Sequence, residues 1–404
     1  MNPVAYLKKN GIQRTIEVLY RFKLQQIYEK IMLSFTKGKP LKNIILIESH
    51  NDFDSNGGAF YDYLIKHEYN QSYKIVWQLK HKLKQKLPHN VKAVPLCKPS
   101  LRRAYYRCVS QIMTSDCYYA PKVREDQVSF YFTHGPIGLK NCKGCVPVLE
   151  NVDYCLSPSE FYGPILADQF SMPYDEKWIV LGYPMHDILY TSPTDELKKI
   201  TEQKFDRVVL WMPTFRKGGG FKRNDSTEEL PLGIPLIVSQ EQYKKLNAEL
   251  AKRNCLLIIK MHPMQDPDTI HLEEASNIRV LTGETVRQLG VNNYRLMKET
   301  DAMISDYSSI AYDYLHLDKP IGYMMSDAES YKLGFVVEDP RTLMAGDVIN
   351  TFDDLVCFIQ NVADGVDPYQ EARHKLFDKL FCYHDGNSCE RIVDFMKLTK
   401  KGGK

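Results

Sequence analysis

At 404 residues the chain exceeds what one hydrophobic core usually organises, so two domains of about 150 to 200 residues are expected, and 44% hydrophobic against 25% charged residues is a globular balance. No apolar stretch approaches the roughly 18 residues that span a bilayer, and the first residues lack the apolar centre of a signal peptide, which points to the cytoplasm. The ten cysteines show no small-domain disulfide spacing, as reduced thiols would, and the net charge of +3 says little until its placement is considered.

That placement is uneven. Residues 1–42 carry nine Lys or Arg (Lys8, Lys9, Arg14, Arg21, Lys23, Lys30, Lys37, Lys39, Lys42) against Glu17 and Glu29, with Ile12, Ile16, Leu19, Ile27, Ile31 and Phe35 at helical spacing. This is a basic amphipathic helix. It can lie on an anionic membrane surface, or pack on the first domain with its basic back in solvent, and the two are compatible.

From Asn43 the chain alternates strand-like and helix-like segments, the pattern of doubly wound parallel sheets. Asn43–Glu48 is a buried-strand candidate, followed by a Gly57-Gly58 turn and a helix over about Ala59–Glu68. Strands follow near Lys74–Trp77, Gln111–Met113 and Val128–Phe132, the last ending at Thr133-His134-Gly135, and Trp178–Leu181 leads into Gly182-Tyr183-Pro184. The charged region from Thr191 to Asp206 has the composition of a hinge. A second alternating set runs from Arg207 to about Val337, with strands near 208, 256, 302 and 320, and residues 388–399 form a closing helix able to cross back to the first domain.

Three strands of the second set deliver polar groups at their C-terminal ends. Ala302-Met303-Ile304 runs into Ser305-Asp306-Tyr307-Ser308-Ser309 and then a helical pattern. Hydroxyls, backbone N–H groups and a helix dipole aimed at one point suit a phosphate. Cys255–Lys260 runs into Met261-His262-Pro263, and Val208–Met212 into Pro213-Thr214-Phe215-Arg216. Two doubly wound domains face their strand ends across one cleft, where open α/β sheets bind ligands.

The polar segments form an ordered set: Glu48-Ser49 with Asp54-Ser55-Asn56 and Tyr61-Asp62-Tyr63-Leu64; His134-Gly135 with Leu139-Lys140; Gly182-Tyr183-Pro184; Met212–Arg216; Lys260–Pro263; Ser305–Ser309 with Asp313; and Asp385-Gly386-Asn387 with Glu390-Arg391. Together they resemble the bacterial CDP-glycerol glycerophosphotransferases of teichoic acid synthesis, over nearly the whole chain after the N-terminal helix. The resemblance implies a GT-B fold; with the basic, membrane-associating helix over 1–42 set before it, the expected divisions are a Rossmann-like acceptor domain over 43–190, a Rossmann-like CDP-donor domain over 205–385, and a closing helix and tail over 386–404. It also implies transfer of glycerol phosphate or a related polyol phosphate from a CDP donor to a hydroxyl of a lipid-linked or polymeric cell-wall or capsule acceptor, at the inner face of the membrane. By that similarity His134, Gly135, Pro136, Ile137, Gly138, Pro213, Thr214, Lys260, Met261, His262, Ser308, Ser309 and Asp313 line the donor site. Neither a cofactor nor a nucleic-acid partner is expected.

The chain departs from the family pattern in three places. Thr133-His134-Gly135-Pro136-Ile137-Gly138-Leu139-Lys140 stands for Trp-His-Gly-Thr-Pro-Leu-Lys, and Met185-His186-Asp187 for Arg-Asn-Asp, so a donor-site arginine is missing. Met344-Ala345-Gly346-Asp347 replaces a Pro-Gly-Pro. These changes bear on the polyol rather than the fold.

The residues also carry their own chemistry. Attack of a hydroxyl on phosphorus needs a base and groups that meet the charge moving onto CMP. His134, before a glycine at a strand end, suits the base; His262, preceded by Lys260, suits diphosphate binding. Lys260 and Arg216 are either phosphate clamps or surface charges, Ser308 and Ser309 cap a helix and can bind phosphate at once, and Asp313, one turn on, can accept polyol or ribose hydroxyls. No metal is expected. Cys142-Lys143-Gly144-Cys145 lacks a second pair, Asp52-Phe53-Asp54 stands far in sequence from the phosphate motifs, and His50, His67, His81, His89, His271, His316 and His384 lack ligand spacing. Two other readings share the phosphate site: a GT-B glycosyltransferase using a nucleotide sugar, and a non-catalytic membrane-bound assembly partner.

Overall fold

The structure, a computed structural model, describes residues 12–83, 86–135, 137–146, 148–216, 226, 230–262 and 265–400. Two parallel sheets organise them. The first has the order β3-β2-β1-β4-β5-β6-β7, from β1 (Lys42–Ile47), β2 (Lys74–Leu79), β3 (Val91–Pro95), β4 (Ser110–Ser115), β5 (Val128–Tyr131), β6 (Tyr154–Leu156) and β7 (Trp178–Ile179). The second has the order β10-β9-β8-β11-β12-β13, from β8 (Arg207–Met212), β9 (Cys255–Lys260), β10 (Ile278–Leu281), β11 (Ala302–Ser305), β12 (Ile321–Met324) and β13 (Asp347–Ile349).

The central strands are apolar on both faces because helices cover both. Ile44, Leu46, Val76 and Val94 pack with Tyr106 on one face of the first sheet, while Ile45, Ile47, Ile75 and Trp77 turn to the other. That second face belongs to a core shared with Leu210, Ile258 and Met303 of the second sheet, so one apolar interior joins the two halves. Near-continuous Val, Ile and Leu runs are the mark of such doubly covered parallel strands.

Some sequence expectations need correction. The helix placed at Ala59 begins at Ser55 and runs to Lys66, because the Asp54 carboxylate accepts the Ser55 N–H and starts it earlier. Gly57 and Gly58, read as a turn, lie inside that helix. A Cβ on Gly58 would stand 2.6 Å from the Phe53 backbone, so glycine serves close approach here. Strands β3, β6, β10 and β13 were not anticipated; β3 and β10 are edge strands with charged residues, and β6 and β13 have three residues each. The stretch read as a hinge is anchored where Glu299 accepts the N–H groups of Thr194, Glu196 and Leu197 at 2.8–2.9 Å.

The helix Ile12–Thr36 packs on the helix Leu101–Val109 through polar groups. Glu29 pairs with Arg107 at 2.7 Å, and the Ser100 N–H donates to Gln25 at 2.9 Å. Its apolar stripe therefore turns outward: Ile12, Ile16, Tyr20, Ile27, Ile31 and Phe35 are 43–69% exposed. The helix thus packs on the first domain with Lys23, Lys30 and Lys37 in solvent, and the exposure of its apolar stripe is the unexpected part; the Leu19, Arg14, Glu17 and Arg21 side chains, Lys8 and Lys9 lie outside the described residues. Among the described residues no helix is long and apolar enough to cross a membrane.

The helix Ser388–Phe395 returns to the first sheet. Asp187 accepts the N–H groups of Ser388 and Cys389 at 2.8 and 2.7 Å, Arg391 donates to the Leu181 carbonyl, and the Phe395 ring meets Phe130 and Tyr154.

Candidate functional site

The C-terminal ends of the two sheets meet. On the first, β5 runs through Thr133, at φ +57°, into His134. The His134 ring nitrogen Nδ1 lies 3.2 Å from the Asp116 carbonyl beyond β4. A carbonyl only accepts, so Nδ1 carries the proton and Nε2 keeps its lone pair. His134 is open to solvent locally but ringed by protein, and that surrounding protein lowers its pKa, opposed by the Asp116 carbonyl and reinforced by Lys140 and Lys80. The imidazole is thus neutral at pH 7.

On the second sheet, β9 ends at Lys260, which is 5% exposed; burial brings its pKa down to about 8, against the pull of Asp54. His262 follows, packed at 5.0 Å on the Phe215 ring, its pKa pushed well down by burial and by Lys140, Lys260, His50 and His134. That list contains groups from both sheets, which is the electrostatic sign that their ends share one space. Beyond β11, Ser309 starts the helix Ile310–Tyr314 without a side-chain cap bond. The first-sheet loop rests directly on this turn: a Cβ on Gly135 would stand 2.7 Å from Ser309 Oγ, and one on Gly138 3.7 Å from the Ser309 nitrogen. Any side chain at 135 would occupy the gap where a phosphate could approach the serines.

Other predicted site residues have different tasks. The Arg216 guanidinium is 1% exposed, held by Asp327 at 2.5 and 2.9 Å, by Asp306 at 2.9 Å and by the Thr214 carbonyl. Burial opposes its charge, but Asp306 and Asp327 outweigh burial and raise its pKa. Thr214 is spent on the same network, donating its hydroxyl and N–H to Asp306 at 2.5 and 2.9 Å. Asp313, also buried, accepts from Tyr294 at 2.8 Å and pairs with His186 at 2.7 Å, so both oxygens are committed. Ile137 and Met261 point into the core, Gly138 is pinned by Tyr162 through both backbone groups, Pro213 is buried beside Thr214, and Pro136 and Pro263 lie outside the described residues. Of the donor set, the structure brings together His134, Gly135, Gly138, Lys260, His262, Ser308 and Ser309. It sets Arg216, Thr214 and Asp313 behind them as support.

Sequence reasoning passed over three features. His50, after β1, stacks on His134 with ring centroids 4.7 Å apart and planes 7° from parallel. Lys80, after β2, donates to the His50 carbonyl and lies 4.5 Å over the Tyr118 ring. Beneath them Glu48 accepts the N–H groups of Cys117 and Tyr118, and Asp116 accepts that of Gly57. Burial, then the neighbouring Glu48, pushes the Asp116 carboxyl well up; burial raises Glu48 too. Only the third dimension reveals these, since strand order brings residues 48, 80, 116 and 134 together. Asp52 and Asp54 hold the turn, Asp52 accepting from Lys80, His81 and the His81 ring and Asp54 capping the helix. Among the described residues no group of three or more His, Cys, Asp or Glu is placed to hold a metal ion.

Comparison with known proteins agrees with this geometry. The chain is 28% identical over 267 residues to the teichoic acid ribitol-phosphate primase of Bacillus spizizenii, covering 64% of this chain and 62% of the relative. It is 22% identical over 411 residues to the teichoic acid poly(glycerol phosphate) polymerase of the same organism, covering 93% and 97%. Against the first three curated relatives it spans 62%, 42% and 38% of their lengths. A variant of the wall teichoic acid polymerase TagF soaked with CDPG superposes with a TM-score of 0.73 at 19% identity, over 98% of this chain and 97% of that one, which shows a shared fold. The facing sheets are thus the GT-B arrangement. The model of the CDP-Glycerol:Poly(glycerophosphate) glycerophosphotransferase family matches residues 31–398, and the chain belongs to that family.

Proposed function

We propose that the chain moves glycerol phosphate, or a related polyol phosphate, from a CDP-linked donor to a hydroxyl of a lipid-linked or polymeric acceptor, releasing CMP. The observation that carries this is the meeting of a neutral imidazole from the first sheet with a lysine, an imidazole and the Ser309 hydroxyl from the second. In this reading residues 205–385 hold the donor and residues 43–190 the acceptor. The hydroxyl oxygen attacks the phosphorus bearing the polyol, its proton passes to His134 Nε2, and the bond from that phosphorus to the CMP oxygen breaks. Lys260, His262 and the Ser308 and Ser309 hydroxyls meet the charge gathering on CMP, with no need for a cofactor. Arg216, Thr214 and Asp306 keep the two second-sheet loops in register behind them.

The acceptor is delivered at a membrane. The exposed stripe of Ile16, Ile27, Ile31 and Phe35, flanked by exposed Lys23, Lys30 and Lys37, suits the inner, anionic face of the cell membrane, where each surface cation contributes about 1 kcal/mol. The protein is then cytoplasmic and peripheral.

The test is CMP release over a panel of CDP-glycerol, CDP-ribitol and nucleotide sugars. A CDP-polyol should be turned over, and His134→Asn should cost about 10²- to 10⁴-fold while CDP still binds. Turnover of nucleotide sugars alone would replace this reading with a glycosyltransferase; absence of both binding and turnover would replace it with an assembly partner.

A further inference from the structure

We propose that His50 is a positioning residue for His134, its ring forming the flat wall that fixes the plane of the base. The inference rests on the reading of His134 as the group that takes the acceptor proton. A base must be held within roughly 10–20° of its productive orientation. The bond from His134 Nδ1 to the Asp116 carbonyl, at 3.2 Å, fixes one edge of the ring and leaves it free to rock about that bond. The His50 ring, 4.7 Å away and 7° from parallel, removes this freedom. Edge and face together leave Nε2 a single direction.

His50 is itself well anchored. Its carbonyl takes the Lys80 ammonium, its Nδ1 lies 3.5 Å from the Asn51 amide, and the Asn51 amide is held in turn by Asp54 at 3.3 Å. Burial, His134, Lys80 and Lys260 bring the His50 pKa down to about 3, so it stays neutral wherever the enzyme works and does not compete for the proton. When His134 becomes an imidazolium it faces an uncharged π-surface, which attracts a cation, rather than a second charge. The contact is therefore stronger after proton transfer than before, the sense required of a contribution to rate.

The test compares His50→Ala, which removes the wall, with His50→Phe, which keeps a flat ring and no nitrogen. His50→Ala should lower kcat about 10- to 100-fold with the donor KM nearly unchanged. His50→Phe should recover most of that loss, and in a His134→Asn background His50→Ala should cost nothing further. A His50→Phe enzyme as slow as His50→Ala would mean that the ring nitrogens matter, and a full additional loss in the His134→Asn background would mean that His50 acts elsewhere; either overturns the proposal. NMR of the His134 ring nitrogens needs no turnover. The parent should show one neutral tautomer protonated at Nδ1, and His50→Ala should keep that tautomer, which the Asp116 carbonyl sets, while its ring signals broaden as the ring rocks; signals as sharp as the parent's overturn positioning. If no CDP-polyol yields CMP, the reading of the reaction has failed, and the spectra alone then decide the role of His50.

Discussion

Arg216 separates two accounts of the second-sheet site. Read from sequence it is a phosphate clamp or a surface charge; in the fold its guanidinium is inserted between the buried Asp306 and Asp327, both at 2.5–2.9 Å. Arg216→Leu leaves two carboxylates buried without it, and breaking such a pair costs about 3–5 kcal/mol. For a unit of 150–250 residues each kcal/mol lowers Tm by about 2–4 °C, so a fall of roughly 6–20 °C is expected. Asp327→Asn, which keeps the shape and leaves Asp306 to pair with Arg216, should cost less. The assay is a thermal melt with and without CDP, beside a CDP titration well below the melt. A clamp behaves in the opposite way: Tm holds, and CDP affinity drops by about 1.5–3 kcal/mol, the worth of hydrogen bonds to a charged group. An Arg216→Leu protein that melts like its parent yet binds CDP poorly would show that the guanidinium faces the ligand and that the buried network is not what shapes the loops.

Three other outcomes follow from the site and the surface. Lys260 loses its charge above about 8, so donor affinity should fall between about pH 7 and 9.5, and Lys260→Arg should abolish the fall; persistence in the arginine variant would assign it to another group. Asp116 has a raised folded pKa, so the stability it contributes is fully present below its ordinary 3.8 and is lost as pH rises toward the folded value. Asp116→Asn mimics the protonated acid, and its gain in Tm over the parent should be larger near pH 8 than near pH 4.5; equal gains would show that the acid is unperturbed. Finally, Ile27, Ile31 and Phe35 replaced together by Ser should release the protein from anionic vesicles with Tm unchanged, since burying each apolar side chain in the membrane is worth about 1.5–3 kcal/mol. Sedimentation as before would put the membrane contact elsewhere.

The two-sheet architecture was legible because buried parallel strands are short apolar runs that stop at polar turns, and Ile44–Ile47, Leu256–Ile259 and Ala302–Ile304 all read that way. Strands such as Tyr154–Leu156 and Ile278–Leu281 were not, since the first is only three residues long and the second is an edge strand whose apolar run is broken by Arg279. In the candidate site, loops that follow strands gave His134, His262, Ser308 and Ser309. What the sequence could not show is which way a polar side chain turns once the loop closes. Arg216, Thr214 and Asp313 look like ligands by type and are consumed by Asp306, Asp327, His186 and Tyr294. His50 shows the converse, a residue with no spacing signal that the parallel strand order sets against His134.

The return of the last helix to the first sheet constrains how the protein is made. The carboxylate of Asp187 waits for the N–H of Ser388, 201 positions later, and Tyr154 and Phe130 wait for Phe395. At about 5–20 residues per second a ribosome needs roughly 10–40 s to cover that span. During that interval the first sheet exists with the underside of the helix Ser55–Lys66 uncovered, although every one of its strands has been synthesised. The N-terminal half therefore matures last, not first. A nascent chain halted after Leu380, once the helix Phe352–Asp364 has covered the second sheet, should hold that sheet protease-resistant while the first is still open to cleavage and to chaperones. A stop codon or frameshift a few residues before Ser388 would then be felt most at the opposite end of the sequence.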